Sequence, residues 1–325
     1  MSFVRYNPED SVISAESIVR PMWTGDNYSL YSFYTSSYTE YYTDIYNSTV
    51  TTTGSEVQFS IQYGHLYGSG SVPINSVVRG YSPSRTVYGQ YRNLVYGTED
   101  TNFSFNGGTT TAYQIYVINI ARSRYKQSIQ PGSLNLVLNS GSAANKIYLT
   151  DDSNTTTLTR FIGENRIYYI ISGSNGNAYT SGAESTYYGI MLPDLGVIVL
   201  DASGSLSPYI QAANLTTASA QNNQMKLFTS MTSGSLFQLQ SQETVSSRYF
   251  FTRVKNGDFN YTTNPSIIDS NGNLLYTTLI NNPQTYITTV GMYNDNNELL
   301  AVAKLSKPLV KDFTKEALVR IKLDY

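Results

Sequence analysis

Cysteine is absent from the 325-residue chain and histidine occurs once. The first absence removes disulfides, thiolate metal sites and a cysteine nucleophile, and the second removes any site that needs two imidazoles. Charge is scarce as well. Asp, Glu, Lys and Arg make up 14% of the chain, against roughly 25% in an average soluble domain, and the formal net charge is −2. With no strongly basic field to hold a phosphate backbone, a sequence-independent phosphate binder is disfavoured and no nucleic-acid partner is expected. No glycine-rich phosphate cradle of the form G-x-x-x-x-G-K-[ST] occurs. No run approaches the ~18 consecutive apolar residues of a membrane span, and Met1 to Asp10 lacks the apolar core of a signal peptide. The expectation is a soluble protein made in the cytosol, with no membrane partner.

What is present is tyrosine, 30 residues beside 12 Phe and a single Trp. Tyrosine suits half-buried strand faces and contact surfaces, because the ring packs while the hydroxyl stays wet. At 40% hydrophobic residues and low net charge the chain is not disordered. Strand-like alternation bounded by Gly, Asn, Ser and Thr recurs at 57–63, 114–120, 133–138, 146–149, 166–171, 187–192 and 197–200. Two helices interrupt it. Ser82-Pro83 offers an N-cap and an N1 proline ahead of Val87, Tyr91, Leu94 and Val95 on one face, and Gly97 stops the run. A second starts at Ser207-Pro208 over 209–214 and resumes within 218–231, ending near Gly234.

In the last third, Tyr286 to Tyr293 alternates, Asn294 to Asn297 turns, and Leu299 to Leu305 alternates again, which is a hairpin signal. After Pro308, Ala317, Val319, Ile321, Leu323 and Tyr325 share one face of a terminal strand. The fold class expected is mainly β, β-sandwich-like domains with one or two short helices and a C-terminal β-hairpin plus terminal strand. The divisions expected are an N-terminal β-rich domain over 1–140 with its helix near 83–96, a middle β-rich region over 141–215 and a C-terminal β module over 216–325.

Catalytic chemistry finds no foothold. His65 lies in a Gly-His-Leu-Tyr-Gly turn without an acid cluster, Glu99-Asp100 and Asp151-Asp152 read as turn acids, and 269–273 departs from the calcium-loop pattern. No catalytic residue, cofactor or metal is assigned. The interface candidates are tyrosines and basic residues. Tyr28 to Tyr46 carries Tyr31, Tyr34, Tyr38, Tyr41 and Tyr42 with no basic residue, which favours subunit packing over nucleobase stacking and leaves glycan contact open. Residues 301–325 hold six basic and three acidic side chains, so Lys304, Lys307, Lys311 and Arg320 either dock a neighbour or guard an edge strand.

A resemblance then appears. Residues 250–265 (FFTRVKNGDFNYTTNP), 285–305 (TYITTVGMYNDNNELLAVAKL), Ser306-Lys307-Pro308 and the terminal strand resemble the C-terminal module of virion structural proteins of contractile-tailed, myovirus-type and cyanophage-like bacteriophages. Residues 33–37, 44–46, 57–59 with 63–65, and 90–94 are similar to the same group. The resemblance implies a non-enzymatic structural protein of the tail, a baseplate component of wedge or peripheral type, located in the virion after synthesis in the host cytoplasm. Its partners would be other virion proteins and copies of itself. The alternatives are a tail-fibre-like or receptor- or glycan-binding protein, or a neck component.

Overall fold

Antiparallel strands are the main regular structure of the computed structural model, which describes residues 4–36, 41–73, 81–105, 111–155, 159–179, 186–202, 204–217, 221–260 and 264–324. In chain order the elements begin with β1 (Ser11–Pro21), β2 (Ser29–Leu30), β3 (Thr43–Tyr46), β4 (Val57–His65), α1 (Pro83–Tyr96), β5 (Gln114–Ile120) and β6 (Ser128–Ile129). Then come β7 (Asn135–Asn139), β8 (Lys146–Asp151), β9 (Arg160–Ile162), β10 (Asn165–Ser174), β11 (Asn177–Ala178), β12 (Gly189–Leu192) and β13 (Val197–Asp201). The last are α2 (Gln224–Gly234), β14 (Phe237–Gln238), β15 (Gln240–Val254), α3 (Thr277–Asn281), β16 (Thr285–Tyr293), β17 (Leu299–Lys311) and β18 (Ala317–Asp324).

The chain forms two units, a larger one of Ser17–Glu243 and a smaller one of Met1–Glu16 with Thr244–Tyr325. The positions 140/141 and 215/216, where divisions were expected, both fall inside the larger unit. Residues 140 and 141 join β7 to β8, which are hydrogen-bonded neighbours, and β14 returns to pair with β2. Sheet order here interleaves strands far apart in sequence, which composition along the chain cannot reveal.

In the larger unit a 12-stranded sheet runs β2-β14-β7-β8-β10-β12-β13-β5-β4-β3, with β9 and β11 added to β10. Its central strands are covered on both faces. On one face Phe59, Ile61, Tyr116, Ile118, Ile198, Leu200, Met191 and Leu149 join a core with Trp23, Leu227, Met231 and Phe237. On the other, Ile115, Val117, Val197, Val199, Ile190 and Ile167 pack with Val87, Tyr88, Tyr91 and Val95 of α1 and with Phe103 and Phe105. Double coverage is why β12 and β13, where alternation was expected, are instead buried along both faces. The sheet is curled, because residues near its opposite ends meet over the first core. Phe237 of β14 and Phe59 of β4 touch edge to face at 5.2 Å, Trp23 contacts both rings, and its Nε1–H donates to the Phe237 carbonyl at 3.1 Å.

Helix α1 follows its expected bounds, with Gly97 in the left-handed conformation at φ 70° closing it. Two details differ. The Ser82 hydroxyl donates to the Gly68 carbonyl rather than accepting from the first turn, and an early helix N–H, that of Ser84, is received instead by Ser71 Oγ. Leu94 is exposed while Tyr88 is buried, since at about 100° per residue Leu94 lies some 75° from the centre of the buried stripe. The stretch 209–214 is not helical. Its carbonyls are taken by side chains of α2 and its N-terminal flank: Ser230 Oγ donates to Tyr209 O, Lys226 Nζ to Ala212 O and Asn223 Nδ2 to Asn214 O. Helix α2 itself ends at Gly234 as the sequence suggests, and α3 is a third, short helix. Residues 218–220 lie outside the described residues.

The smaller unit holds the β16–β17 hairpin and β18. Eight consecutive pairs join β18 to β15, from Ser247–Asp324 to Val254–Ala317. Strand β17 runs through Pro308, because the ladder jumps from Ile287–Leu309 to Thr289–Lys304 and leaves 305–308 as a bulge, where the missing N–H of proline breaks no pairing.

Candidate interaction surface

The Tyr-rich segment 28–46 occupies both margins of the large sheet. Its residues 29–30 form β2 at one edge and 43–46 form β3 at the other, and between them Tyr34 and Tyr46 exchange backbone hydrogen bonds of 3.3 and 2.8 Å. Leu30 and Phe33 point into the core, which leaves Tyr28, Tyr31, Tyr34, Tyr41 and Tyr42 exposed, Tyr31 by 65%. Apolar anchors inward and rings outward are the physical content of this segment. Tyr38 lies outside the described residues. A second exposed pair, Tyr67 and Tyr113, stacks at 5.8 Å and 28°.

The basic candidates divide. Lys304, Lys307 and Arg320 are exposed, and the Arg320 guanidinium lies 5.6 Å from the centre of the Tyr249 ring. Lys311 is a correction, because its side chain has no exposed surface. Its ammonium donates to Asn256 O at 2.8 Å, Asn260 Oδ1 at 3.1 Å and Asp312 O at 3.0 Å. Three donors meet three acceptors, which makes the buried cation a pin between loop 256–260 and the end of β17 rather than a surface contact.

The acids likewise serve the fold. Asp151 and Asp152 are buried rather than solvated in a turn. Asp151 accepts from the N–H groups of Gly132, Leu134 and Ser153, and burial pushes its carboxyl above the ordinary range. Asp152 accepts from Tyr169 N–H at 2.9 Å and pairs with Arg160, whose guanidinium stacks over Tyr169 at 4.9 Å. Glu99 and Asp100 are exposed. Asp269 closes a tight turn by accepting from Asn273 and Asn271, and those bonds, Asn273's first, hold its carboxyl below the ordinary range. His65 Nδ1 accepts from Tyr67 N–H at 3.0 Å within its turn, and burial lowers its pKa.

Two concavities among the described residues bear on the site. One of about 310 Å³ is bounded by Asp44, Ser60, Asn119, Arg122 and Tyr125, with the Asp44 carboxyl raised by burial. The other, about 190 Å³, has Asn135, Ser174, Asn175 and Gln238 in its lining and Tyr148 and Tyr179 beside them. Those two rings meet edge to face at 5.9 Å. Neither lining contains a nucleophile hydrogen-bonded to a base. Among the described residues no group of three or more His, Asp or Glu is placed to hold a metal ion, and no helix is long and apolar enough to cross a membrane.

The feature that sequence reasoning missed is the thinness of the smaller unit's core. Among the described residues its buried apolar side chains are Phe250, Val254, Ala317 and Val319. Meanwhile Val12, Ile13, Leu275, Tyr276, Ile280, Tyr286, Leu299, Leu300, Val302, Phe313 and Leu318 are all exposed. The signal was available in 299–305, which alternates Leu, Ala and Val with Lys as its lone charge, so that neither face of β17 is marked for water.

No family model, no curated protein and no solved structure matches this chain.

Proposed function

We propose that the chain is a non-enzymatic structural protein of a bacteriophage virion, a wedge or peripheral component of the tail baseplate that is completed by its neighbours. The observation that carries this is the thin core of the smaller unit. Four buried apolar side chains do not offset the ordering of a unit this size, and a chain without cysteine has no disulfide to do so. Exposed leucine, valine and tyrosine on that unit are the kind of surface an assembly interface covers. Tyrosines along both margins of the large sheet add a second contact surface. The resemblance of 250–265 and 285–305 to contractile-tail virion proteins supplies the setting.

The test is to label intact virions with gold-tagged antibody against the chain. Clustering of label at the distal tail end is the expected result; label at the neck, on fibres or on the head would remove the baseplate assignment, and its absence from virions would overturn the structural reading.

One observation favours a second reading, a receptor- or glycan-binding protein. The cleft beside Tyr148 and Tyr179 combines aromatic rings with neutral amides from Asn135, Asn175 and Gln238, a pairing that suits the apolar faces and hydroxyls of a neutral sugar. Binding of a neutral oligosaccharide panel, lost in Tyr179→Ala, would favour it over the baseplate role.

A further inference from the structure

We propose that β16 is a docking edge for β16 of a second copy of this chain, joined antiparallel across a two-fold axis. A strand edge with unpaired N–H and C=O groups is a template for another chain, and proteins blunt such edges with charge, proline or brevity. Among the described residues the strand edges follow that rule with one exception. Strands β2, β6 and β11 have two residues each; β3 carries Asp44, β9 carries Arg160, and β1 carries Glu16 and Arg20. Strand β18 carries Arg320 and Lys322, and β17 carries Lys304, Lys307 and Pro308. Strand β16, by contrast, reads Thr-Tyr-Ile-Thr-Thr-Val-Gly-Met-Tyr, nine residues with neither charge nor proline.

Among the described residues β16 pairs with β17 alone, and none of its side chains is buried. A two-stranded ribbon with no buried face is marginal in water, whereas three or more strands sharing an apolar face are not. The strand is about 30 Å long at ~3.4 Å per residue, long enough to carry a full ladder.

Its sequence is also complementary to itself. In the register that pairs all nine residues, Thr289 sits on the two-fold axis opposite its own copy, Thr288 meets Val290, Ile287 meets the small Gly291, and Tyr286 meets Met292. Threonine pairs, β-branched pairs and sulfur–aromatic contacts are favourable cross-strand combinations, and an uncharged strand meets its copy without repulsion. The hairpins of two copies then merge into a four-stranded sheet ordered β17-β16-β16-β17. Tyrosine at both ends, Tyr286 and Tyr293, is exposed in the single chain.

The inference deepens the structural reading but does not depend on the virion setting. Sedimentation velocity of the full chain is expected to show a dimer. Because Thr289 faces itself, Thr289→Lys places like charges in contact and should weaken the dimer about tenfold or more at low salt. Thr289→Glu should do the same, and mixing the two variants should restore a dimer. In a chain without native cysteine, Thr289→Cys should give a disulfide-linked dimer on mild oxidation, a readout that stands even where the Lys variant fails to fold. A native chain that remains monomeric, or a dimer that Thr289→Lys leaves unchanged and Thr289→Cys does not link, overturns the proposal. A monomer that still labels the tail end sinks this inference alone, while a dimer absent from virions sinks the virion assignment alone.

Discussion

If the large sheet is curled so that its ends share one core, then Phe59 and Phe237 must be energetically coupled although they lie on strands near opposite margins. Both side chains are fully buried, their centroids are 5.2 Å apart at 86°, and each also contacts Trp23. Truncating a buried phenylalanine to alanine costs about 3–5 kcal/mol, through lost transfer energy and the cavity left behind. The milder Phe59→Leu and Phe237→Leu changes keep most of the volume, and their double-mutant cycle isolates the edge-to-face term, about 0.5–1.5 kcal/mol. Trp23 is the sole tryptophan and lies in the larger unit, so its emission during urea unfolding reports that unit and not the smaller one. The expected result is a lowered midpoint at unchanged slope for each single variant and a coupling above ~0.5 kcal/mol. A coupling near zero, or a Phe237→Ala cost below ~1.5 kcal/mol, would refute the closure of the sheet over a common core.

Other expectations follow from individual contacts. Asp151→Asn turns an amide toward the three backbone donors that Asp151 now accepts from and should cost roughly 1–3 kcal/mol. Because burial raises the Asp151 carboxyl above its usual 3.8, the folded state binds that proton more tightly than the unfolded chain does. The stabilisation is therefore full below pH 3.8 and declines as pH rises through the folded value, so the gap between native chain and Asp151→Asn should shrink with rising pH in parallel urea titrations; a widening gap would contradict the burial argument. Gly234→Ala would put a Cβ 2.0 Å from the Val137 carbonyl, forcing α2 off β7 at a cost of about 1–3 kcal/mol or more, read from the same Trp23 transition. Lys311→Met keeps the aliphatic stem but leaves three buried acceptors bare; it should destabilise the smaller unit by roughly 3 kcal/mol, visible as faster proteolysis after residue 255 with the Trp23 transition unmoved. Deleting 318–325 removes every one of the eight pairs between β15 and β18 except Val254–Ala317 and should abolish folding of the smaller unit or, on the proposed role, incorporation into virions; soluble, incorporated product at full yield would refute it.

Elements whose signal is local are legible in the sequence. Strand β5 has the bounds expected, 114–120, and α1 keeps both its proline start and its glycine stop. What stayed hidden was decided at a distance. The hydroxyl of Ser82 is drawn off by Gly68 and its place filled by Ser71, a swap that needs the loop at 68–71 to be already in position. The 209–214 stretch has helix-compatible residues, yet the side chains of 223, 226 and 230 claim its carbonyls. Strand β15 contains Gln, Ser, Glu, Thr and Arg and so lacks the apolar period that marks a strand, its extension being fixed by its pairing with β1, β6 and β18. Lys311 reads as a surface lysine in a lysine-rich tail, and only the fold brings Asn256, Asn260 and the Asp312 carbonyl around it.

Tyrosine abundance by itself separates nothing, because the same residue fills the core and the surface. Tyr88 is buried with its hydroxyl donating to Ala112 O and accepting from Phe103 N–H, and burial carries its pKa up to about 12. Tyr31 presents most of its ring to solvent. The two cases differ in whether the neighbours in sequence anchor the backbone while the ring faces away: Leu30 and Phe33 are held in the core, which turns Tyr31 outward and fixes it there. An exposed ring on an anchored backbone loses little further freedom on docking, which is the condition under which aromatic contact area converts into affinity. By that criterion Tyr31, backed by Leu30 and Phe33, is suited to a permanent contact. The hairpin of the smaller unit, with no buried face behind it, is suited to one that folds as it forms, and its order is then set by the partner's concentration.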